Sequence, residues 1–117
     1  MTDSTSPPSE KRLAVFDTSP LVFLDVLGYT RKLPELHRVV APPAVIEELT
    51  ALPGEPGSGL PAKGWLERRT PEAETLRRVG GELTEGKGEK EAIALAVDLR
   101  ALIVLNDKRA RSASASG

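Results

Sequence analysis

Four acidic side chains are spread along the 117-residue chain at positions where a carboxylate could do chemistry. Asp17 follows the apolar run 13–16, and Asp107 comes shortly after a second run at 101–105. Short unbroken apolar runs are typical of strands buried on both faces, as in a parallel sheet. Both acids are therefore expected near the carboxyl ends of strands, where open α/β sheets bind ligands. A role as a helix cap or turn residue is the alternative for each.

The other two acids, Glu48 and Glu89, interrupt the apolar stripes of predicted helices. By the i, i+3, i+4 spacing, Glu91 falls on a solvated face of helix 88–100, whereas Glu89 lies on the face that is predicted to be buried. That face consists of Glu89, Ala92, Ile93, Ala96, Val97 and Arg100. Glu89 lies in the first turn, where the helix dipole stabilises an anion without any function being needed. Glu48 lies on the apolar face of helix 43–52, away from such help, and is predicted to be directed toward the core.

A shared divalent cation would explain why four acids converge. In a parallel sheet, the strand ends and the starts of the following helices lie along one edge, which brings Asp17, Asp107 and Glu89 together with Glu48 nearby. Carboxylates at close range raise one another's pKa and cannot all ionise without a counter-charge. The chain has no cysteine and one histidine, so the donors are all oxygen, which suits Mg²⁺ or Mn²⁺. Such an ion can activate water and neutralise charge on a phosphate.

The elements that must position these acids alternate between strands and helices. Strands are predicted at 13–17, 38–41 and 101–105, and helices at 20–27, 43–52, 70–79 and 88–100, with 65–69 as an edge strand. This alternation predicts an α/β fold with a parallel sheet and right-handed crossovers. Gly28 is placed to end the first helix, and the Pro- and Gly-rich segment 53–61 is expected to be a loop.

Composition limits the classes of function. The formal net charge is −1, which argues against strong bulk attraction to nucleic acid, although a local basic patch could still bind it. Aromatic residues make up 3% of the chain, which disfavours base-stacking platforms for single strands. The polar start lacks the apolar core of a signal peptide, and no apolar run approaches the roughly 20 residues that span a bilayer. We expect a cytoplasmic protein with a disordered lead at 1–11, one domain at 12–113 and a flexible tail at 114–117.

Four segments of the sequence resemble, in the same order, the motifs of PIN-domain proteins. They are residues 16–21 (FDTSPL), 41–49 (APPAVIEEL), 88–96 (GEKEAIALA) and 104–111 (VLNDKRAR). The resemblance is closest to the small prokaryotic group with an Asp-Thr-Ser-Pro-Leu opening, and it covers residues 12–113. It implies a three-layer α/β/α fold with a mostly parallel central sheet. PIN domains usually continue with another strand and helix, so we expect a C-terminally short domain in this chain, whose sequence ends at Gly117.

The resemblance implies a Mg²⁺- or Mn²⁺-dependent ribonuclease that hydrolyses RNA phosphodiesters at an acidic metal site. Asp17, Glu48 and Glu89 match the first three acids of the family, as catalytic residues and as metal ligands, and Asp107 matches the fourth. One alignment places Asn106 at the fourth position, where an amide carbonyl could coordinate but brings no charge. Many PIN proteins are toxins of toxin–antitoxin pairs, so a small antitoxin protein and a second copy of the chain are expected partners alongside RNA.

Substrate contacts are expected from residues beside the acids. Lys108, Arg109 and Arg111 follow the fourth acidic position and could hold RNA phosphates, with a solvated helix start as the alternative. Thr18 and Ser19 could hydrogen-bond substrate or a metal-bound water, or they could cap the first helix.

Two other functions compete with the nuclease. A phosphatase of the haloacid-dehalogenase type also places an aspartate after a buried strand, but it needs a second aspartate two residues on, where this chain has Ser19. A PIN-like module without activity, binding RNA or a protein, is favoured by the short C-terminal end and by Asn106. The remaining basic pairs, at 31–32, 68–69 and 77–78, are expected to be solvated, and His37 to be packed or exposed rather than catalytic.

Overall fold

The computed structural model of the chain describes residues 11–82 and 86–105. The strands are β1 (Arg12–Phe16), β2 (His37–Ala41), β3 (Leu66–Arg68) and β4 (Leu102–Val104). The helices are α1 (Thr18–Leu27), α2 (Leu33–Leu36), α3 (Pro43–Thr50), α4 (Ala73–Glu82) and α5 (Lys87–Leu99), with 3₁₀ turns at Thr30–Lys32 and Leu60–Ala62. No helix in these described residues is long and apolar enough to cross a membrane.

The described strands form one parallel sheet in the order β3-β2-β1-β4. In this register Phe16 of β1 lies opposite Val104 of β4, and Arg12 lies opposite His37 of β2. The carboxyl ends of β1, β2 and β4 therefore share one edge, and His37 lies at the opposite edge. The predicted α/β class with a parallel sheet is confirmed.

Apolar side chains cover both faces of this sheet and define three layers. One cluster joins β1 and β2 to α1 and α3, with Leu21 and Val45 buried between them. The other joins Val15 and Val40 to α5, where Leu95 is buried, and α4 packs against the outside of α5. Burying each such side chain is worth about 1.5–3 kcal/mol, so both helical layers are held to the sheet mainly by these contacts.

Several predicted boundaries need correction. Helix α1 begins at Thr18, two residues earlier than expected, and α4 continues through two glycines to Glu82 instead of ending at residue 79. Gly28 ends α1 as predicted, in a left-handed conformation (φ 79°). Its N–H and that of Tyr29 donate to the Asp25 and Leu24 carbonyls, a pairing that satisfies the last turn.

Strand β4 differs from the buried strand that the apolar run predicted. Leu102 is 51% exposed, and Ile103 and Val104 are only partly buried. Within the described residues β4 pairs with β1 alone, so it occupies an edge of the sheet, whereas β1 is paired on both sides. An apolar run therefore indicated a strand here but not its place in the sheet.

Candidate functional site

Asp17 links the end of β1 to the start of α1. Its backbone N–H donates to the Val104 carbonyl of β4 at 3.0 Å, and its Oδ1 accepts from the Thr18 N–H at 2.8 Å. Asp17, and not Thr18 or Ser19, is thus the residue that caps α1. Burial raises the pKa of Asp17 above its ordinary value; the Thr18 N–H opposes this shift, and the charge of Glu48 adds to it. Capping and a site role are therefore compatible for this carboxylate.

Glu48 reaches from α3 to the first turn of α1. Its carboxylate accepts a hydrogen bond from the Thr18 hydroxyl and lies close enough to Asp17 to raise the pKa of that group. The prediction that Glu48 is directed into the core is wrong, because its residue is exposed while Val45 and Leu49 are buried. At 100° per residue Glu48 lies at the border of their stripe, so its side chain can extend sideways over the sheet edge.

Gly88 in the first turn of α5 provides the space for the Glu48 carboxylate. A Cβ added at this position would lie 2.8 Å from Glu48 Oε1 and 2.9 Å from Oε2, which is closer than real contacts allow. Gly88 was missed by the reasoning from sequence, which treated it only as the start of a helix. A glycine inside a first turn, directly before a motif acid, was the available signal.

Two of the acids of α5 contribute to the packing of neighbouring helices. Glu89 follows Gly88 in the first turn and is partly buried. Glu91, predicted to be solvated, is only 8% exposed, and its Oε1 accepts from the Ala44 N–H at 2.9 Å. It thereby caps the start of α3, where Pro42 offers no side-chain acceptor. Asp98 serves α4 in the same way, accepting from the Glu72 N–H at 2.6 Å.

The error about Glu91 comes from the phase of the buried stripe on α5. The predicted face included Val97, which is 60% exposed, and omitted Leu95, which is buried. The face toward the sheet and α3 instead contains Gly88, Glu91, Ala92 and Leu95. A shift of about one residue turns a helix by 100°, which is enough to exchange a solvated acid for a buried one.

The fourth acidic position and its neighbours lie outside the described residues. These are Asn106, Asp107, Lys108, Arg109 and Arg111. Strand β4 ends beside Asp17, as the hydrogen bond to Val104 shows. Among residues 11–82 and 86–105, no three acidic or histidine side chains form a group that could hold a metal ion. The structure brings Asp17 and Glu48 together with the start of α5, and a four-acid site stays a prediction.

The chemistry of the donors that do meet fits a hard divalent cation. Two carboxylates and the Thr18 hydroxyl are oxygen donors, the type that Mg²⁺ and Mn²⁺ prefer. Ser19 is exposed beside them. The basic pairs expected to be solvated are exposed at all six positions, which confirms that expectation: Arg31, Lys32, Arg68, Arg69, Arg77 and Arg78.

Comparison with known proteins assigns the chain to a family. A family model described as a PIN domain matches residues 13–116, almost the whole chain. No curated protein and no solved structure gives a significant match. PIN domains have a nuclease-like fold and generally use divalent metal ions, which agrees with carboxylates gathered at the carboxyl edge of a parallel sheet. On the extent of this match and the observed α/β/α architecture, the chain belongs to the PIN-domain family.

Proposed function

We propose that this protein is a metal-dependent ribonuclease that hydrolyses RNA phosphodiesters at the carboxyl edge of its sheet. The observation that carries the proposal is the closeness of Asp17 and Glu48, two acids that lie 31 residues apart in the sequence. Neither forms an ion pair with a basic side chain in the described part of the chain. Two neighbouring carboxylates repel, and a divalent cation between them would turn that repulsion into attraction.

The residues of the site have separable roles. Asp17 is fixed by its cap hydrogen bond, and the Thr18 hydroxyl donates to Glu48 and holds that carboxylate at the first turn of α1. These two acids would hold Mg²⁺ or Mn²⁺, with Glu89 as a third acid and Asp107 or Asn106 as the fourth ligand. When bound, the ion would activate a water and neutralise charge on the scissile phosphate.

RNA would be oriented by groups that border the acids. Thr18 and Ser19 lie in the first turn of α1 and offer hydroxyls beside Asp17. Lys108, Arg109 and Arg111 follow the fourth acidic position in sequence and would bind the phosphates flanking the cleaved bond. The family resemblance further supports a toxin of a toxin–antitoxin pair in the cytoplasm, with a small antitoxin and a second copy of the chain as partners.

A second candidate is a PIN-like module that binds RNA or protein without cleaving. The observation that favours it is that no three acidic or histidine side chains of the described residues form a group able to hold a metal. Because a fold alone does not fix an activity, cleavage and binding must be measured separately.

The test is cleavage of a labelled single-stranded RNA by the full chain, with Mn²⁺ and with EDTA. Asp17→Asn and Glu48→Gln should each reduce the rate more than about a hundredfold, beyond the 10- to 100-fold typical of residues that only support a ligand. Glu67→Gln is the matched control, because Glu67 is an acid paired with Arg38 on the opposite wing of the sheet.

Two results would overturn the nuclease. Cleavage that persists in Asp17→Asn, or that does not need the metal, would assign the activity to another site or to a contaminant. RNA binding by the wild type without metal-dependent cleavage would favour the binding module.

A further inference from the structure

A cavity of about 440 Å³, lined by both polar and apolar residues, lies at the end of α1 remote from Asp17. Its walls come from the last turn of α1, the 3₁₀ turn Thr30–Lys32 and the segment 60–65. Asp17 and Gly28 are 11 residues apart along α1, which corresponds to about 16 Å at 1.5 Å per residue. The cavity is therefore separate from the acidic site, and its size is within the ~300–1,000 Å³ typical of small-molecule sites.

The wall of the cavity is held in place by Asp25. One carboxylate oxygen accepts from the Gly57 N–H at 2.7 Å, and the other accepts from the hydroxyl of the buried Thr30 at 3.2 Å. Gly57 has φ +89°, and a Cβ there would lie 3.0 Å from Leu49 Cδ2. Because both oxygens of Asp25 are engaged, this acid fixes the loop around Gly57 to α1 and gives the cavity a preformed shape.

Two cations and one aromatic ring line the same cavity. Arg31 and Lys63 are exposed, and neither forms an ion pair with a carboxylate of residues 11–82 or 86–105. Trp65 also lines the cavity, and it packs against the core cluster of α1 and α3. With Asp25 counted, the cavity carries one excess positive charge. An aromatic surface beside unpaired cations is the combination that proteins use for bases and phosphates.

We propose that this cavity binds a nucleoside phosphate, with the base against Trp65 and the phosphate between Arg31 and Lys63. The low aromatic content disfavours a stacking platform of several rings, but a subsite that binds a single base needs only a single aromatic ring. The nucleoside phosphate is either a free nucleotide or one unit of an RNA strand. In the RNA form, which rests on the proposed nuclease function, the unit lies about 16 Å from Asp17, or about five stacked nucleotides at 3.4 Å each.

Trp65 supplies a direct readout because it is the one tryptophan in the sequence. The full chain is titrated with adenosine monophosphate, and separately with oligoadenylates of two and eight nucleotides, in EDTA so that no metal-dependent cleavage occurs. Saturable quenching of the Trp65 emission is the expected result. An emission that is unchanged up to millimolar ligand in every titration overturns the proposal.

Matched variants locate the bound phosphate. Arg31→Ala and Lys63→Ala should each weaken binding about tenfold, as expected for the loss of a hydrogen bond to a charged group. Lys32→Ala removes the neighbouring exposed cation, which does not line the cavity, and should change binding less than twofold. Equal losses for Lys32→Ala and Arg31→Ala would show diffuse electrostatic binding and overturn the site.

The lengths of the ligands distinguish the two sources. Tighter binding of the eight-nucleotide strand than of the dinucleotide and the mononucleotide assigns the cavity to RNA, whereas equal affinities assign it to a free nucleotide. The nucleotide site and the proposed nuclease function can be tested separately. Loss of cleavage in Asp17→Asn with nucleotide binding unchanged supports both, while nucleotide binding by a chain without cleavage activity removes only the proposed function.

Discussion

Two groups of charged side chains near the sheet differ in how their charges are balanced: one pairs an acid with basic residues, and the other brings two acids together. On the β2–β3 wing, Glu67 accepts from Arg38 Nε and Nη2 at 3.2 and 3.0 Å, and Arg69 lies 3.8 Å away. The hydrogen bond and the negative charge of Glu67 raise the pKa of Arg38. At the carboxyl edge, Glu48 lies near Asp17, and burial together with the charge of Glu48 raises the pKa of Asp17. Glu67 is thus balanced by two basic side chains, whereas the neighbour of Asp17 is a second acid, Glu48.

This difference shows that the arrangement of Asp17 and Glu48 is not the one that folding stability alone would favour. The Glu67 cluster is a solvent-exposed arrangement of the kind that adds little to folding and needs no further partner. Two neighbouring carboxylates oppose folding slightly, and a glycine at position 88 is present where a side chain would displace Glu48. Local conflicts of this kind concentrate at functional sites, because the gain they serve appears only when a ligand is bound.

The largest expected effect comes from making the acidic pair resemble the Glu67 cluster. Glu48→Lys would place a cation beside Asp17, which removes the repulsion and lowers the pKa of Asp17. We expect RNA cleavage and Mn²⁺ binding to be lost by more than about a hundredfold, while the unfolding midpoint at pH 7 does not fall. Glu47→Lys, on an exposed neighbouring position of α3, is the control and should retain both activities. Cleavage that survives Glu48→Lys would contradict a metal site at this pair.

The position of Asp17 at the carboxyl edge of the sheet could be predicted from the sequence. The run before Asp17 indicated a buried strand, and strand–helix alternation indicated a parallel sheet, so Asp17 could be placed at the carboxyl edge. These inferences depend on strong local signals that packing does not reverse. The closeness of Glu48 to Asp17 followed from the order of elements, although the expected direction of its side chain was wrong.

The role of Glu91 could not be predicted in the same way. Helix α5 carries alanines at positions 92, 94 and 96, which fit a core or a surface equally well, so they do not fix the phase of the helix. The large apolar residues do not share one face either: Leu95 is buried, whereas Val97 is 60% exposed, and the predicted face included Val97 and not Leu95. The need for a buried acceptor arises from the uncapped start of α3, 47 residues away, which local periodicity cannot reveal.

An intermediate effect is expected when the pair is kept and only its spacing is changed. Gly88→Ala would introduce a Cβ within 3 Å of both Glu48 oxygens and force that exposed carboxylate away from Asp17. Because an alanine favours the helix, stability should be maintained while cleavage falls about 10- to 100-fold. Gly80→Ala in α4, where a Cβ meets nothing within 4 Å, is the matched control for helix propensity. Equal cleavage rates for the two variants would mean that the position of Glu48 does not matter.

The smallest expected effect is the pH dependence of stability that Asp17 contributes. Its folded pKa lies above the ordinary value of 3.8, so the folded chain takes up a proton more readily than the unfolded chain. The unfavourable contribution of the ionised group is therefore complete above the folded pKa, decreases as pH falls through it, and is absent below 3.8. Asp17→Asn keeps a good cap and lacks this titration. The variant should be more stable than the wild type at pH 7, and this advantage should shrink toward pH 4 in urea unfolding without metal. An advantage that grows as the pH falls would mean that the folded pKa of Asp17 lies below its ordinary value, which would contradict a repulsive acidic pair at this edge.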